Sequence, residues 1–348
     1  MFADLWAPGL VLAAFAGGAF GAAVGALQSF ALAGLMVVVG ELYSLTATAA
    51  GVETLPVDIT GTLGFGVVLG PHVAFGGGAA ALAYASKRGY LDDDFEYHQA
   101  KEVTRGLGSK PDVLAVGGVF GILGYWIGTA STTLSLPVDP VALGVVGSAL
   151  LHRTVLGYSL VGASPRQWLD MGPYTQNRAE EQPATDGGRR VEPWLPYQYR
   201  WGDVLGLGFV VGILGAYVAY RTASPFLAFG ISVVALAFLC ADVAEIPVTH
   251  HMALPASTAV IALVDAPVGA VTPALVAEAV PLWQALLVGA AFGVAGALFG
   301  ELLQRVLYAH AETHLDPPAA SIVVTSFIIA VLAIVGVFPS SAWVPTPA

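Results

Sequence analysis

Histidines and carboxylates carry most of the chemistry available to this chain. Six of the seven histidines, His72, His152, His250, His251, His310 and His314, stand at or near the ends of apolar runs, and His98 lies alone in a polar stretch. His72, His251 and His314 occupy one equivalent place, ahead of a proline or glycine able to open a helix; Pro137 fills that place in a fourth copy, with Asp139-Pro140 just beyond it. Proline suits a first helical turn, whose N–H groups have no intrahelical partner. Four helix N-termini pointing at one centre would create a positively polarised site, as half-helices do in transporters built from repeats. His72, His251, His314, Asp139 and Asp316 are therefore the candidate substrate-binding residues. The plainer role for each is to cap a helix at the membrane interface.

A second set is acidic: Glu41, Asp242, Glu245 and Glu301 fall within or late in apolar runs. Ionisable side chains there are costly and mark pathways, and desolvation raises carboxylate pKa values toward neutrality. That chemistry suits coupling to a proton or cation. Asp242 and Glu245 are three apart and would share a helix face; hydration at a helix end is the alternative for Glu245. Glu301 has Arg305 one turn away, which favours a satisfied helix pair. The string His310-Ala311-Glu312-Thr313-His314 places two imidazoles at i and i+4, a metal-binding pattern on a helix. Asp316-Pro317-Pro318 follows at once, however, and no second cluster completes a shell. We expect no cofactor.

The elements that must position these groups are duplicated. Residues 289–320 hold a glycine ladder, Gly289, Gly293, Gly296 and Gly300 with Phe292, followed by His314-Leu315-Asp316-Pro317. The ladder recurs at equal spacing as Gly117, Phe120, Gly121, Gly124 and Gly128, followed by Val138-Asp139-Pro140. Looser copies start at Gly208 and Gly17, with His251 and His72 downstream. Helices in lipid associate through close backbone approach over small residues, so Gly121, Gly124, Gly128, Gly293, Gly296 and Gly300 read as packing seams.

Hydrophobic residues make up 56% of the chain and charged residues only 11%, with a mean hydropathy of +0.75. Soluble domains carry about 25% charged residues, so the composition describes an all-α polytopic membrane protein. Residues 8–47 should hold two spans, turning near Leu27-Gln28-Ser29. Further segments fall at 61–86, 113–133, 139–158, 203–220, 225–246, 252–264, 283–307 and 318–338. Each half thus has five segments, and the two form inverted repeats, giving about ten transmembrane or re-entrant segments of glycine-rich helix. The domains expected are 1–163, a hydrophilic cytoplasmic linker 164–202, and 203–348. Segments 61–86 and 252–264 either cross or re-enter; 252–264 is short for a crossing, and re-entrance would make the halves parallel and put the N-terminus inside. Lysine and arginine concentrate in 87–110 and 153–200, which the positive-inside rule makes cytoplasmic.

The lone Cys240 excludes an internal disulfide, and the N-terminus lacks the basic region of a cleaved signal peptide. Acidic, lysine-poor loops beside Ala/Gly/Val-rich helices resemble proteins of haloarchaea in composition. His314-Leu315-Asp316-Pro317-Pro318-Ala319 resembles the His-Pro-Pro signature of the HPP family of small integral membrane proteins, some linked to nitrite transport, with Leu315-Asp316 interrupting it. No phosphate loop, nucleophile elbow or zincin helix stands out, and nothing points to nucleic acid. The sequence therefore describes a permease of the cell (plasma) membrane whose partners are the lipid bilayer and a small solute or ion. Self-association into a homo-oligomer is compatible with it. A channel on the same duplicated plan is the first alternative, and a membrane-embedded metal-dependent enzyme using His310, Glu312 and His314 is the second.

Overall fold

In a computed structural model the chain is described over residues 3–52, 56–91, 98–162, 169–176 and 191–347, and the described residues form helices and turns without strands. In chain order the helices are α1 (Pro8–Val24), α2 (Ala26–Ala49), α3 (Ala74–Lys87), α4 (Pro111–Thr133), α5 (Pro140–Val155), α6 (Gly172–Gln176) and α7 (Trp201–Thr222). They continue with α8 (Leu227–Val234), α9 (Leu236–Cys240), α10 (His250–Ile261), α11 (Pro273–Ala279), α12 (Leu282–Leu303) and α13 (Pro317–Ile334). Five stretches are long and apolar enough to cross a membrane, namely α2, α4, α7, α13 and α12 with its extension to Tyr308, which marks a membrane protein.

Local chemistry sets the helix ends. Pro8, Pro111, Pro140 and Pro317 each occupy a first turn, and the Asp139 and Asp316 side chains accept N–H groups of α5 and α13. Between α1 and α2 the chain turns at Gly25 (φ 107°) and not at Leu27-Gln28-Ser29, which already lies inside α2. That backbone conformation is open to glycine and strained for other residues. The expected segment 225–246 also ends early, because α9 stops at Cys240. Asp242 and Glu245 follow in exposed turns at φ 55° and 57°, so they share no helix face.

Ladder helices pair within each half. Helix α1 packs on α4 with Gly18 against Gly117 and Gly121, and α7 packs on α12 with Gly212 against Gly289. Helix α3 then packs against α1, α4 and α5, while α10 packs against α7, α12 and α13. The halves meet where α2 lies along α8 and α5 along α13. One apolar core crosses this junction, with Phe30, Phe75 and Val145 from the first half and Phe229, Val233 and Ile322 from the second.

Helices α3 and α10 have 14 and 12 residues, about 21 and 18 Å at 1.5 Å per residue, against a hydrocarbon core of about 30 Å. Both are buried almost throughout. A π-helical turn at Thr60–Gly64 and an irregular stretch lead into α3. Non-helical backbone at membrane depth is tolerated where protein encloses it.

Candidate functional site

Where the two halves meet, a cavity of about 240 Å³ runs between α2, α5, α8, α10 and α13. Its rim carries exposed Thr132 and half-buried Phe65, Phe226 and Trp343. Its floor is formed by buried Phe30, Phe75, His250 and Asp316. The walls are largely apolar and carry aromatic rings in contact: Phe226 lies 5.2 Å from both Phe65 and Trp343 between ring centroids, and Phe30 lies 5.0 Å from the His250 ring. The helix starts bring the charge. Asp139 Oδ1 accepts the N–H groups of Val141 and Ala142 at 2.8 and 3.1 Å, and the Asp139 N–H reaches Ser326 Oγ on α13 at 2.9 Å. Asp316 Oδ2 accepts the Ala319 N–H at 2.8 Å, and its Oδ1 lies 3.5 Å from His314 Nε2.

Asp139 and Asp316 thus meet in one cavity, whereas His72 and His251 stay outside its lining. Each of these imidazoles sits in a glycine notch of its own half. A Cβ on Gly128 would stand 3.1 Å from the His72 ring, and one on Gly300 would stand 2.7 Å from the His251 ring. The preceding ladder glycines are tighter, since a Cβ on Gly124 or Gly296 would fall 1.7 or 2.2 Å from the carbonyl oxygens of His72 and His251. Both carbonyls have been released from helical bonding. The Gly76 N–H donates to Pro71 and so skips His72, and Pro255, four residues after His251, has no N–H to offer. His251 borders a cleft of only about 20 Å³ beside Glu301 and Gln304.

His314 lies beneath the floor among the rings of Tyr308, Phe75 and Trp194 at 5.3, 5.6 and 5.7 Å. The helical stretch before it ends at Tyr308, so His310 and His314 do not share a helical face. Among the described residues no group of three or more His, Cys, Asp or Glu side chains could hold a metal. Glu301 bonds Arg305 Nε at 2.6 Å and Gln304 Nε2 at 2.8 Å. Glu41 bridges the halves near the rim, accepting Thr60 Oγ1 at 2.7 Å and Ser224 Oγ at 2.6 Å.

Several residues at the site escaped the sequence reading. His250 was passed over for its neighbour His251, since two adjacent helical residues point about 100° apart and sequence alone does not say which one faces the cavity. Lys101 and Arg153 count in the sequence only toward the basic stretches that set orientation, and Glu192 only as part of the hydrophilic linker. Instead, residues 98–103 and 191–199 lie across the bundle end below the floor, bonded to both halves. Ala100 O accepts the His314 N–H, Ala309 O accepts the Glu192 N–H and Val103 O accepts the Leu27 N–H, each at 3.0 Å. The Glu192 carboxylate, 1% exposed, lies 2.7 Å from Lys101 Nζ and 2.8 Å from His98 Nδ1. Arg153, fully buried, donates to the Thr313 hydroxyl and carbonyl at 3.0 and 2.8 Å. Burial pushes the Lys101 pKa down, and the Glu192 charge only partly offsets this. Burial alone would raise the pKa of Glu192, but Lys101 and His98 outweigh it and hold the carboxyl below its ordinary range.

Residues 1–347 match the family of unknown function DUF7973. The chain belongs to that family. No curated protein and no solved structure matches it. The DUF7973 match runs through both ladders, both short helices and the segments below the cavity floor. Residues 177–190 of the expected linker, with Arg189 and Arg190, lie outside the described residues.

Proposed function

We propose that this DUF7973 protein is a secondary transporter that moves a small solute by alternating access at the junction of two five-segment halves inserted in opposite senses. The observation that carries the reading is the cavity itself, wide at one end and shut at the other by a buried polar layer. The matched packing of α1–α4 and α7–α12, and of α3 and α10 behind them, supports two equivalent halves. Short buried helices entered through irregular backbone are the substrate-site element of carriers built from such repeats. A channel needs a continuous path, and here the floor and the Lys101–Glu192 pair interrupt it.

Orientation follows from charge. Lys87, Arg88, Lys101, Arg105, Lys110, Arg153, Arg200 and Arg305 gather at the closed end, and Arg221 stands at the other. By the positive-inside rule the closed end faces the cytoplasm, and this form of the protein opens outward across the cell membrane.

Replacing Cys240 with alanine removes the only cysteine. In that background, single cysteines at Thr132 on the rim and at Leu195 under the floor should label reciprocally: conditions that expose one protect the other. Simultaneous labelling at both positions in one population would indicate a channel and overturn the carrier reading.

A further inference from the structure

We propose that the cavity recognises a small protonated amine, a cation carrying N–H donors on a short apolar body. This rests on reading the cavity as a solute site, and it fixes the charge of the solute. Four helices, α5, α8, α10 and α13, begin beside the cavity, a geometry that usually favours anions. Asp139 and Asp316, however, already accept the first free N–H groups of α5 and α13. Ser224 Oγ accepts those at the start of α8, and only the start of α10 has no side-chain cap. An incoming anion would meet two carboxylates, and among the described residues no lysine or arginine lines the cavity to offset them. The remaining wall is largely apolar and includes several aromatic rings, with Trp343, Phe226 and Phe65 near the rim and Phe30 and Phe75 below. The faces of such rings attract cations, most strongly where water is excluded.

The feature that selects an amine over a fully substituted ammonium is His250. Its side chain is 1% exposed, it lines the cavity floor, and its Nδ1 has no hydrogen-bond partner among the described residues. A buried polar atom of this kind is costly unless something bonds to it. An ammonium N–H can donate to the imidazole nitrogen while the charge lies between the ring faces and the Asp316 carboxylate. Tetramethylammonium has no N–H to give. Size agrees with a short chain: about 240 Å³ is roughly eight times the 30 Å³ that a water occupies in the liquid.

Titration calorimetry on the purified full-length protein at pH 7, with matched four-carbon probes, tests the assignment. Butylammonium should bind saturably, and both butyrate and butanol at least tenfold more weakly. Tetramethylammonium should fall between butylammonium and butanol. Asp316→Asn and Asp139→Asn keep a helix-capping side chain while removing the charge, and each should weaken butylammonium binding at least tenfold. His250→Phe should remove the advantage of butylammonium over tetramethylammonium. Asp242→Asn, in an exposed turn away from the cavity, should change nothing. Should Asp316→Asn fail to fold, Asp139→Asn reads the same charge from the other helix. Binding of butyrate equal to or tighter than butylammonium would overturn the proposal, as would indifference to both aspartate variants or no binding of any probe. The labelling experiment at Thr132 and Leu195 is independent of charge, so the carrier reading can stand if the amine assignment falls.

Discussion

Glu192→Gln should unlatch the closed end below the cavity floor. The glutamate is almost wholly enclosed, with Lys101 Nζ at 2.7 Å and His98 Nδ1 at 2.8 Å, and Lys101 is itself only 4% exposed. Glutamine has nearly the same shape but leaves the lysine charge buried without a counter-ion. Breaking a buried pair by removing one partner costs about 3–5 kcal/mol. In an inward-open form both groups would reach water, so the cost would fall on the closed form alone. At about 1.4 kcal/mol per factor of ten, the closed-to-open ratio drops by about one hundred- to four thousand-fold. The assay is the rate at which a thiol reagent on the cytoplasmic side modifies a cysteine at Leu195, which is 7% exposed in the closed form. Lys101→Met combined with Glu192→Met should restore slow labelling, since a packed apolar pair can replace a buried ion pair at little cost. The acid limb adds a check. With its pKa held low, Glu192 stabilises closure above its ordinary value of 4.5 and loses that effect as pH falls through the depressed value. Relative to an exposed thiol at the same pH, which corrects for the falling thiolate fraction, labelling of the wild type should therefore accelerate below pH 4.5, and that relative acceleration should be absent in Glu192→Gln. If the single variant labels at the wild-type rate, or the double variant is as open as the single, the pair is not a latch.

Two further predictions concern the ladder and the rim. Gly124→Leu and Gly296→Leu should abolish expression, since even a Cβ would enter a histidine carbonyl at 1.7 or 2.2 Å, where ordinary overpacking already costs about 1–3 kcal/mol. Gly206→Leu, with nothing within 4 Å, should express normally, and equal yields of all three by fluorescence size-exclusion would dismiss the seams. Glu41→Gln should keep the fold while removing any dependence of butylammonium uptake on a proton gradient, because the carboxylate joins Thr60 on one half to Ser224 on the other. Unchanged gradient dependence in proteoliposomes would remove Glu41 from coupling.

The parts of this fold that could be read from sequence are those where one residue type has one physical use. Glycine at every third or fourth position in an apolar helix identifies a seam, and Gly121 and Gly293 do meet the glycines of α1 and α7. Asp-Pro at the head of an apolar run identifies a capped helix start, and Asp139 and Asp316 are caps. The early end of α9 was not legible, because apolar residues continue past Cys240 at Ala241, Val243, Ala244 and Ile246 and a helix stop by positive φ at Asp242 leaves no proline or glycine there as a sign. Nor was the burial of Lys101 and Glu192. They lie 91 positions apart in polar stretches, and only the folding of both stretches under the cavity turns two hydrated charges into one buried pair.

The histidines show why equivalence in sequence does not by itself locate a binding site. His72 and His251 are equivalent, and the structure treats them alike, with each ring and carbonyl fitted to a pair of ladder glycines of the same half. What they have in common is the means of docking a short helix onto a long one: the skipped bond at Gly76 and the missing N–H of Pro255 each free a carbonyl to meet a glycine backbone. That function is needed once in each half, so it repeats. A solute site on the axis between two halves has different demands, because one molecule meets both halves at once and needs no matching partner for each group. His250 has no histidine counterpart at Pro71, its place in the first half, yet both residues line the cavity. The departure from the repeat, rather than the repeat, is where selectivity for a solute can reside.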